Sequence, residues 1–206
     1  MLRRSFSVGL VLVFLLTAYA AGTREYKIDN NHSTVGFSVP ILGGLSKVTG
    51  KFSTFEINLQ VDDKDITKST VRAVIKTASI DTGIDARNNH LKTADFFDAE
   101  KYPDITFQST SVKKRGKGFV AMGDLTMHGV TKPIELPFWI TGTFKKDGNT
   151  NIGYHAHMTL DRRDYGITWE NKNSPGFVGD NIDVDIDMIT KAIKDQSAAS
   201  SSSSSN

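Results

Sequence analysis

In Ile182-Asp183-Val184-Asp185-Ile186-Asp187-Met188 an apolar side chain alternates with an aspartate along the whole segment. A strand sends successive side chains to opposite faces, so this segment buries one row of apolar groups and leaves a row of carboxylates in water. A helix would scatter those aspartates around its circumference and into a core. Phe55, Ile57, Leu59 and Val61 alternate in the same way with Glu56, Asn58 and Gln60. Ile134, Leu136, Phe138 and Ile140 alternate with Glu135, Pro137, Trp139 and Thr141. The period is two, and the chain reads as all-β.

Working outward, further strands are expected at Val35 to Val39, Val71 to Ser79, Ile105 to Val112, Phe119 to Met127 and Ile152 to Leu160. Turn chemistry separates them: Gly116-Lys117-Gly118, His128-Gly129 and Asp147-Gly148 are short hairpin signals, and Asp62 to Asp65 makes a polar reversal. About eight antiparallel strands with one apolar face make either a two-sheet sandwich or a closed barrel. The spans Val48 to Val61 and Thr131 to Phe144 each exceed the ~5 or 6 residues of a typical strand, and long coiled strands favour the barrel. A barrel of that size is filled by side chains or holds one small ligand. Two connections, Ile80 to Asp104 and Asp161 to Asp180, lack period-two character. Connections this long are usually functional. The first has room for a short helix within Asp85 to Asp95; a third, apolar loop, Pro40 to Leu45, carries Gly43 and Gly44.

The chain has 206 residues, 38% hydrophobic and 23% charged, which suits one globular domain. It has no cysteine, so disulfides and thiolate chemistry are excluded. Lys+Arg number 25 and Asp+Glu 23. Arg3 and Arg4 precede an apolar run from Phe6 to Leu16 and an Ala18-Tyr19-Ala20 cleavage signal, so residues 1–20 are expected to be a cleaved secretory signal peptide. The apolar run is shorter than the ~20 residues of a spanning helix. Removal of those arginines balances the two signs of charge, leaving no basic footprint for nucleic acid. A periplasmic or secreted barrel domain over residues 21–190 is expected, followed by a flexible serine-rich tail over 191–206.

The run Ser79-Ile80-Asp81-Thr82-Gly83, then Arg87, His90-Leu91, Asp95-Phe96-Phe97-Asp98, Tyr102-Pro103 and Ile105-Thr106-Phe107 resembles the YceI-like family of bacterial lipid- and polyisoprenoid-binding proteins. Gly123-Asp124-Leu125-Thr126-Met127-His128-Gly129-Val130-Thr131-Lys132-Pro133 resembles it too. So do Asp161-Arg162, Tyr165-Gly166-Ile167, Val178-Gly179-Asp180 and the opening Asp29, His32-Ser33 and Phe37. The likeness spans Tyr26 to Ile189, with one departure at Asn88, where the family usually has an aspartate after the arginine. The resemblance implies an antiparallel, lipocalin-like barrel whose interior holds a long-chain amphiphile such as a polyisoprenoid, an isoprenoid quinone or a fatty amide. It implies no catalytic residues and no cofactor besides that ligand.

The inward rows then supply a candidate wall for a lipid tail: Phe37, Ile57, Leu59, Ala73, Ile75, Phe107, Phe119, Leu136, Phe138, Tyr154, Met158 and Ile186, with Trp169 from the second long connection. Burying about 500 Å² of tail yields ~12 kcal/mol gross, against ~4 to 15 kcal/mol for association. A polar head would sit at a barrel mouth, where Arg87, His90, Arg162 and Arg163 are the candidate donors. The same aromatics, with Phe96, Phe97 and Tyr165, equally suit a plugged core. The charges Arg87, Asp95, Asp98, Asp161, Arg162 and Asp164 suit loop-fixing ion pairs and caps better than a polar site, because isolated charge clusters more often tie loops than bind ligands.

That alternative makes the chain a secreted interaction module on a filled barrel, using Pro40 to Leu45 or Trp139 to meet a partner; the apolar loop also suits brief contact with a membrane surface. Association into a homodimer is compatible with either reading. An enzyme is disfavoured. His155 and His157 share one strand face, expected outward, but lack a third ligand at metal spacing; His32 and His128 sit in bends; His90 has only its long loop to recommend it. Ser33 and Ser79 have no nucleophile-elbow context.

Overall fold

The structure is a computed structural model that describes residues 22–146 and 149–192. The expected signal peptide, the Asp147-Gly148 turn and the tail beyond 192 lie outside the described residues. The strands are β1 (Arg24–Ile28), β2 (Thr34–Ile41), β3 (Ser46–Phe52), β4 (Phe55–Val61), β5 (Thr70–Lys76), β6 (Ile80–Asp81), β7 (Asp104–Arg115), β8 (Gly118–Met127), β9 (Val130–Lys146), β10 (Asn149–Asp161) and β11 (Asn181–Ala192). One α-helix, α1 (Asp85–Leu91), lies between β6 and β7.

Neighbours run in the order β1-β4-β5-β7-β8-β9-β10-β11, and β11 returns to β1 through Tyr26 opposite Ala192, closing an antiparallel barrel of eight strands. The earlier half of β11 pairs instead with β2, from Asp183 opposite Ser38 to Asp187 opposite Thr34, and β2 continues to β3 and β6. The first three staves of the barrel are thus each broken in two: β1/β2, β4/β3 and β5/β6. Local hydrogen bonds explain the breaks. Asp29 accepts from the Asn31 amide in the first. Ser53 and Thr54 give their amides to the Ser79 carbonyl and hydroxyl, tying the second break to the third. Side chains that bond nearby backbone compete with a ladder. Hence the expected strand 48–61 divides at residues 53–54, and 71–79 ends at Lys76 and resumes at Ile80. The last strand also runs past the expected boundary at 190, because Lys191 and Ala192 complete the seam with β1.

Along β4 the apolar row Phe55, Ile57, Leu59 and Val61 is buried as the alternation requires. His128 and Gly129 both take positive φ in the tight β8–β9 turn, the backbone twist that two-residue hairpins need. A Cβ at Gly129 would sit 2.5 Å from the Tyr102 ring. The β2–β3 tip, α1 with its following loop, the β8–β9 turn and the β10–β11 connection all gather at one end of the barrel, here called the mouth. The far end carries the β4–β5 connection and the β7–β8 turn at Gly116-Lys117.

Candidate functional site

Several inward residues are only half-buried: Phe37, Ile75, Leu136, Phe138, Met158, Leu160, Val184, Ile186 and Met188. Inward side chains with surface left uncovered border empty space. A cavity of about 310 Å³ lies at the mouth, one of about 130 Å³ in the middle and one of about 70 Å³ toward the far end. The first two share Phe37, Phe52, Ile105, Met127, Leu160 and Val184 as walls, and the last two share Val71, Leu136, Ala156 and Met188. The three compartments therefore follow one another along the barrel axis. The mouth compartment alone reaches the ~300 Å³ at which small-molecule pockets begin. A filled barrel, the premise of the interaction-module alternative, is not what the structure contains.

Phe37, Ile57, Ala73, Ile75, Phe107, Leu136, Met158 and Ile186 line the middle compartment. Leu59, Leu136, Phe138 and Tyr154 line the inner compartment toward the far end, and Trp169 the mouth. Phe119 does not reach any of them: it stacks on Phe138 with ring centroids 5.4 Å apart. Phe96 and Phe97, expected as either plug or wall, form mouth wall, whereas Tyr165 is buried core. Val39, Ile41, Val48, Phe177 and Ile182 line the mouth as well and were not among the candidates; Val39, Ile41 and Ile182 follow from the inward parity of β2 and β11, Phe177 from no periodic signal.

Polar side chains border the lumen in few places: Arg87, His90 and Arg162 at the mouth, Ser69 and Thr70 toward the far end. The arginines differ in what they have left to offer. Arg162 is 4% exposed. Its Nε donates to the Gly179 carbonyl at 3.0 Å, its Nη1 to the Ile167 and Trp169 carbonyls at 2.7 and 3.0 Å, and its Nη2 to Asp180 at 2.8 Å. It gathers the whole β10–β11 connection and has little capacity for a ligand. Burial favours its neutral form while Asp180 opposes that, and a guanidinium so placed keeps its proton. Arg163 points away from the lumen and pairs with Asp180 at 2.7 Å.

Arg87 is different. Its Nε and Nη2 donate to the Thr82 hydroxyl and carbonyl, both at 2.8 Å, and it makes no ion pair among the described residues. A guanidinium has five donor hydrogens, so Arg87 keeps Nη1 and half of Nη2 for a guest at the apolar rim. Thr82 is held in turn by Asn88, whose carbonyl oxygen accepts from the Thr82 amide and hydroxyl and whose amide donates to Asp81. Asn88 thus ties the start of α1, which carries Arg87, to the loop at Asp81 and Thr82. His90 sits one turn along, its Nε2 2.8 Å from Asp95 and its ring edge-on to Phe96 and Trp169 at 5.0 and 5.3 Å.

The sequence of this barrel, from 26 to 190, matches the pattern of the YceI-like domain. The chain belongs to the YceI-like family. A UPF0312 protein of Pseudomonas putida is 37% identical over 192 residues, 91% of this chain and 97% of that protein. Another, from Serratia proteamaculans, is 38% identical over 75% of this chain and 81% of its own length. Among solved structures, a Campylobacter jejuni YceI protein superposes with a TM-score of 0.65 at 30% identity, covering 73% of this chain and 88% of that one. A polyisoprenoid binding domain from Saccharophagus degradans shares the fold at a TM-score of 0.61 and 18% identity, over 82% and 98% of the two chains.

The YceI-like barrel of this chain keeps its histidines away from the lumen apart from His90. His155 and His157 lie on the outer wall, each 2.8 Å from an aspartate across the strand pair, Asp187 and Asp185. Among the described residues no three His, Asp or Glu side chains gather as a metal site. His128 anchors the β8–β9 turn, its Nδ1 3.0 Å from the Tyr165 carbonyl.

Proposed function

We propose that the protein is an exported binding protein that sequesters or carries a long-chain amphiphile. The tail lies along the barrel axis through the three compartments, and the polar head rests at the mouth against Arg87, with His90 beside it. The observation that carries this reading is a lumen walled almost wholly by apolar side chains, with Arg87, which makes no ion pair among the described residues, at its rim. An alkyl or isoprenoid chain meets little polar competition inside, and a phosphate or carbonyl oxygen meets spare guanidinium donors outside. The ligand class is a polyisoprenoid, an isoprenoid quinone or a fatty amide. The polyisoprenoid binding of the Saccharophagus domain supports the first of these. Binding proceeds by shape and apolar burial, without covalent chemistry or a further cofactor, and the arginine-flanked apolar leader supports delivery to the periplasm or beyond.

Mass spectrometry of an organic extract of the purified protein tests the reading, and a co-purifying long-chain lipid is expected. Lipid-free protein that also fails to take up an added polyisoprenyl phosphate would overturn it. Arg87→Ala should weaken polyisoprenyl phosphate about tenfold, the loss of one charge-assisted contact, and leave the uncharged polyisoprenyl alcohol nearly unchanged. Equal loss for both ligands removes Arg87 from the head site.

A further inference from the structure

Large apolar side chains stand exposed around the mouth. Leu45 is 87% exposed and Leu42 50% at the β2–β3 tip; Ile84, immediately before α1, is 52% exposed. These residues flank the mouth compartment from two sides. The tip is joined to the cavity wall by the Leu42 amide, which donates to the Phe177 carbonyl, and α1 supplies Arg87, His90 and Leu91 to the lumen. Gly43 and Gly44 at the tip have no neighbour within 4 Å of where a Cβ would be, so the tip projects into open space. Leu42 itself takes φ +54, a left-handed conformation that leucine adopts at a cost. Ile41 to Leu45 carries no charge and no polar side chain. Water alone gives no reason for this arrangement, which exposes large aliphatic groups on a backbone strained to present them.

The geometry points to this rim as a docking surface for a lipid bilayer, with Leu42, Leu45 and Ile84 inserted among the lipids and the cavity opening held at the interface. Three features favour a bilayer over a protein partner. The apolar groups stand apart around an opening, whereas a specific protein interface needs about 800 Å² of continuous, complementary surface on each side; a fluid medium can cover separated points. The rim is continuous with an apolar lumen, so a tail can pass from bilayer to barrel without crossing water. Two of the cations beside the opening are paired within the protein, Lys47 with Asp183 and Arg163 with Asp180, so a headgroup region meets fewer bare charges there. Arg87 remains for a phosphate at that interface. The outer-wall aromatics Trp139 and Phe144 are also exposed but do not border the lumen. The attraction is apolar, so docking should occur on zwitterionic lipid and survive salt that screens charges.

The inference rests on the cavity-binding reading, and the two can fail separately. The cysteine-free chain permits a single environment-sensitive label, placed at Leu45→Cys on the rim or at Lys117→Cys in the far-end turn. On adding phosphatidylcholine vesicles, the label at 45 should shift to the blue and brighten, that at 117 should not, and the shift should persist from about 50 to about 500 mM salt. Leu42→Ser combined with Leu45→Ser should lower the vesicle-bound fraction about tenfold in the full chain, while uptake of polyisoprenyl phosphate delivered from ethanol, without vesicles, stays as in the unsubstituted protein. No shift at 45, or an equal shift at 117, overturns rim docking whatever the cavity binds. A shift at 45 that follows protein concentration without vesicles would assign the rim to a second copy of the chain and overturn the bilayer as its occupant.

Discussion

The two ends of this barrel solve opposite problems with the same sheet. At the far end, β1 pairs with β4 on one side and β11 on the other, Tyr26 is 2% exposed, and its hydroxyl donates to Asp63 at 2.7 Å. The seam is hydrogen-bonded and packed, and the lumen narrows to about 70 Å³. At the mouth, the staves break, β3 meets β6 through Lys51 and Phe52 alone, and α1 with the long connections takes the place of sheet. The lumen there widens to about 310 Å³. Closure by a β-ladder leaves little room for a guest; closure by loops leaves more, but loops bury few apolar groups and need polar fasteners. Arg162 is the chief fastener, and the comparison predicts that the mouth is the end most easily broken.

Arg162→Ala is therefore expected to have the largest effect of any single change at the mouth. It leaves the Gly179, Ile167 and Trp169 carbonyls without their side-chain donor, and Asp180 with Arg163 alone. Removing one member of a buried charged network costs about 3–5 kcal/mol, which for a domain of this size lowers Tm by roughly 6–20 °C at ~2–4 °C per kcal/mol. Protection of amides in 162–180 should be lost first in hydrogen exchange, with β7–β8 amides still protected. Uniform loss of protection would mean that the mouth and the far end unfold as one unit.

A gentler change distinguishes void from core. Ala73, on β5, faces the middle compartment between Phe107 and Ile57. In a solid core, Ala73→Leu would overpack and cost about 1–3 kcal/mol. In a compartment of about 130 Å³ the added carbons occupy empty volume instead. The expected outcome is a Tm within a few degrees of the parent, with binding of polyisoprenyl phosphate weakened about a hundredfold, or ~2.7 kcal/mol, because the tail loses its path between the ends. Titration of the variant with that ligand, beside its melting curve, checks both halves.

How much of this is legible in the sequence follows the same division. The far end and the barrel wall are written in period two: Phe55 to Val61 and Ile182 to Met188 show strand and facing directly, since a one-residue slip would turn aspartates inward. The antiparallel barrel of eight staves follows from those segments and their turns. The mouth is written in hydrogen bonds between side chains and distant carbonyls, which have no period. Arg162 reads as a ligand donor until its acceptors at 167, 169 and 179 are placed around it, and Arg163, its neighbour in sequence, turns outward to Asp180. The breaks at 29–33 and 53–54 are set by Asp29 and Ser79 bonding local backbone, a tertiary choice that strand propensity does not anticipate. Whether inward side chains meet across the lumen or leave it empty depends on barrel diameter, which alternation does not encode.

Proton chemistry offers a third way to separate the ends, smaller in effect but opposite in sign. Tyr154, 7% exposed, borders the inner compartment, and burial, reinforced by the nearby Asp63 charge, pushes its phenol up to about 12. Tyr26 is raised as well, first by burial and then by its hydrogen bond to Asp63. A raised phenol stabilises the fold fully below the unfolded value near 10 and ceases to do so as pH climbs through the folded value. For Tyr154 that window is roughly pH 10 to 12 and the loss roughly 2–3 kcal/mol. At the mouth, Asp81 is held below its ordinary value by the Gly83 amide and then by Asn88. Its contribution is present above the usual carboxylate range and is lost as pH falls through the lowered value, on the acid side. Hydrogen exchange across pH should thus show the far end loosening first in alkali, and Tyr154→Phe should shallow that alkaline limb, leaving the part due to Tyr26, without altering the acid one. If the substitution leaves the alkaline limb unchanged, the far end owes its tightness to the β1 seam and Tyr26 rather than to the neutral phenol inside the lumen.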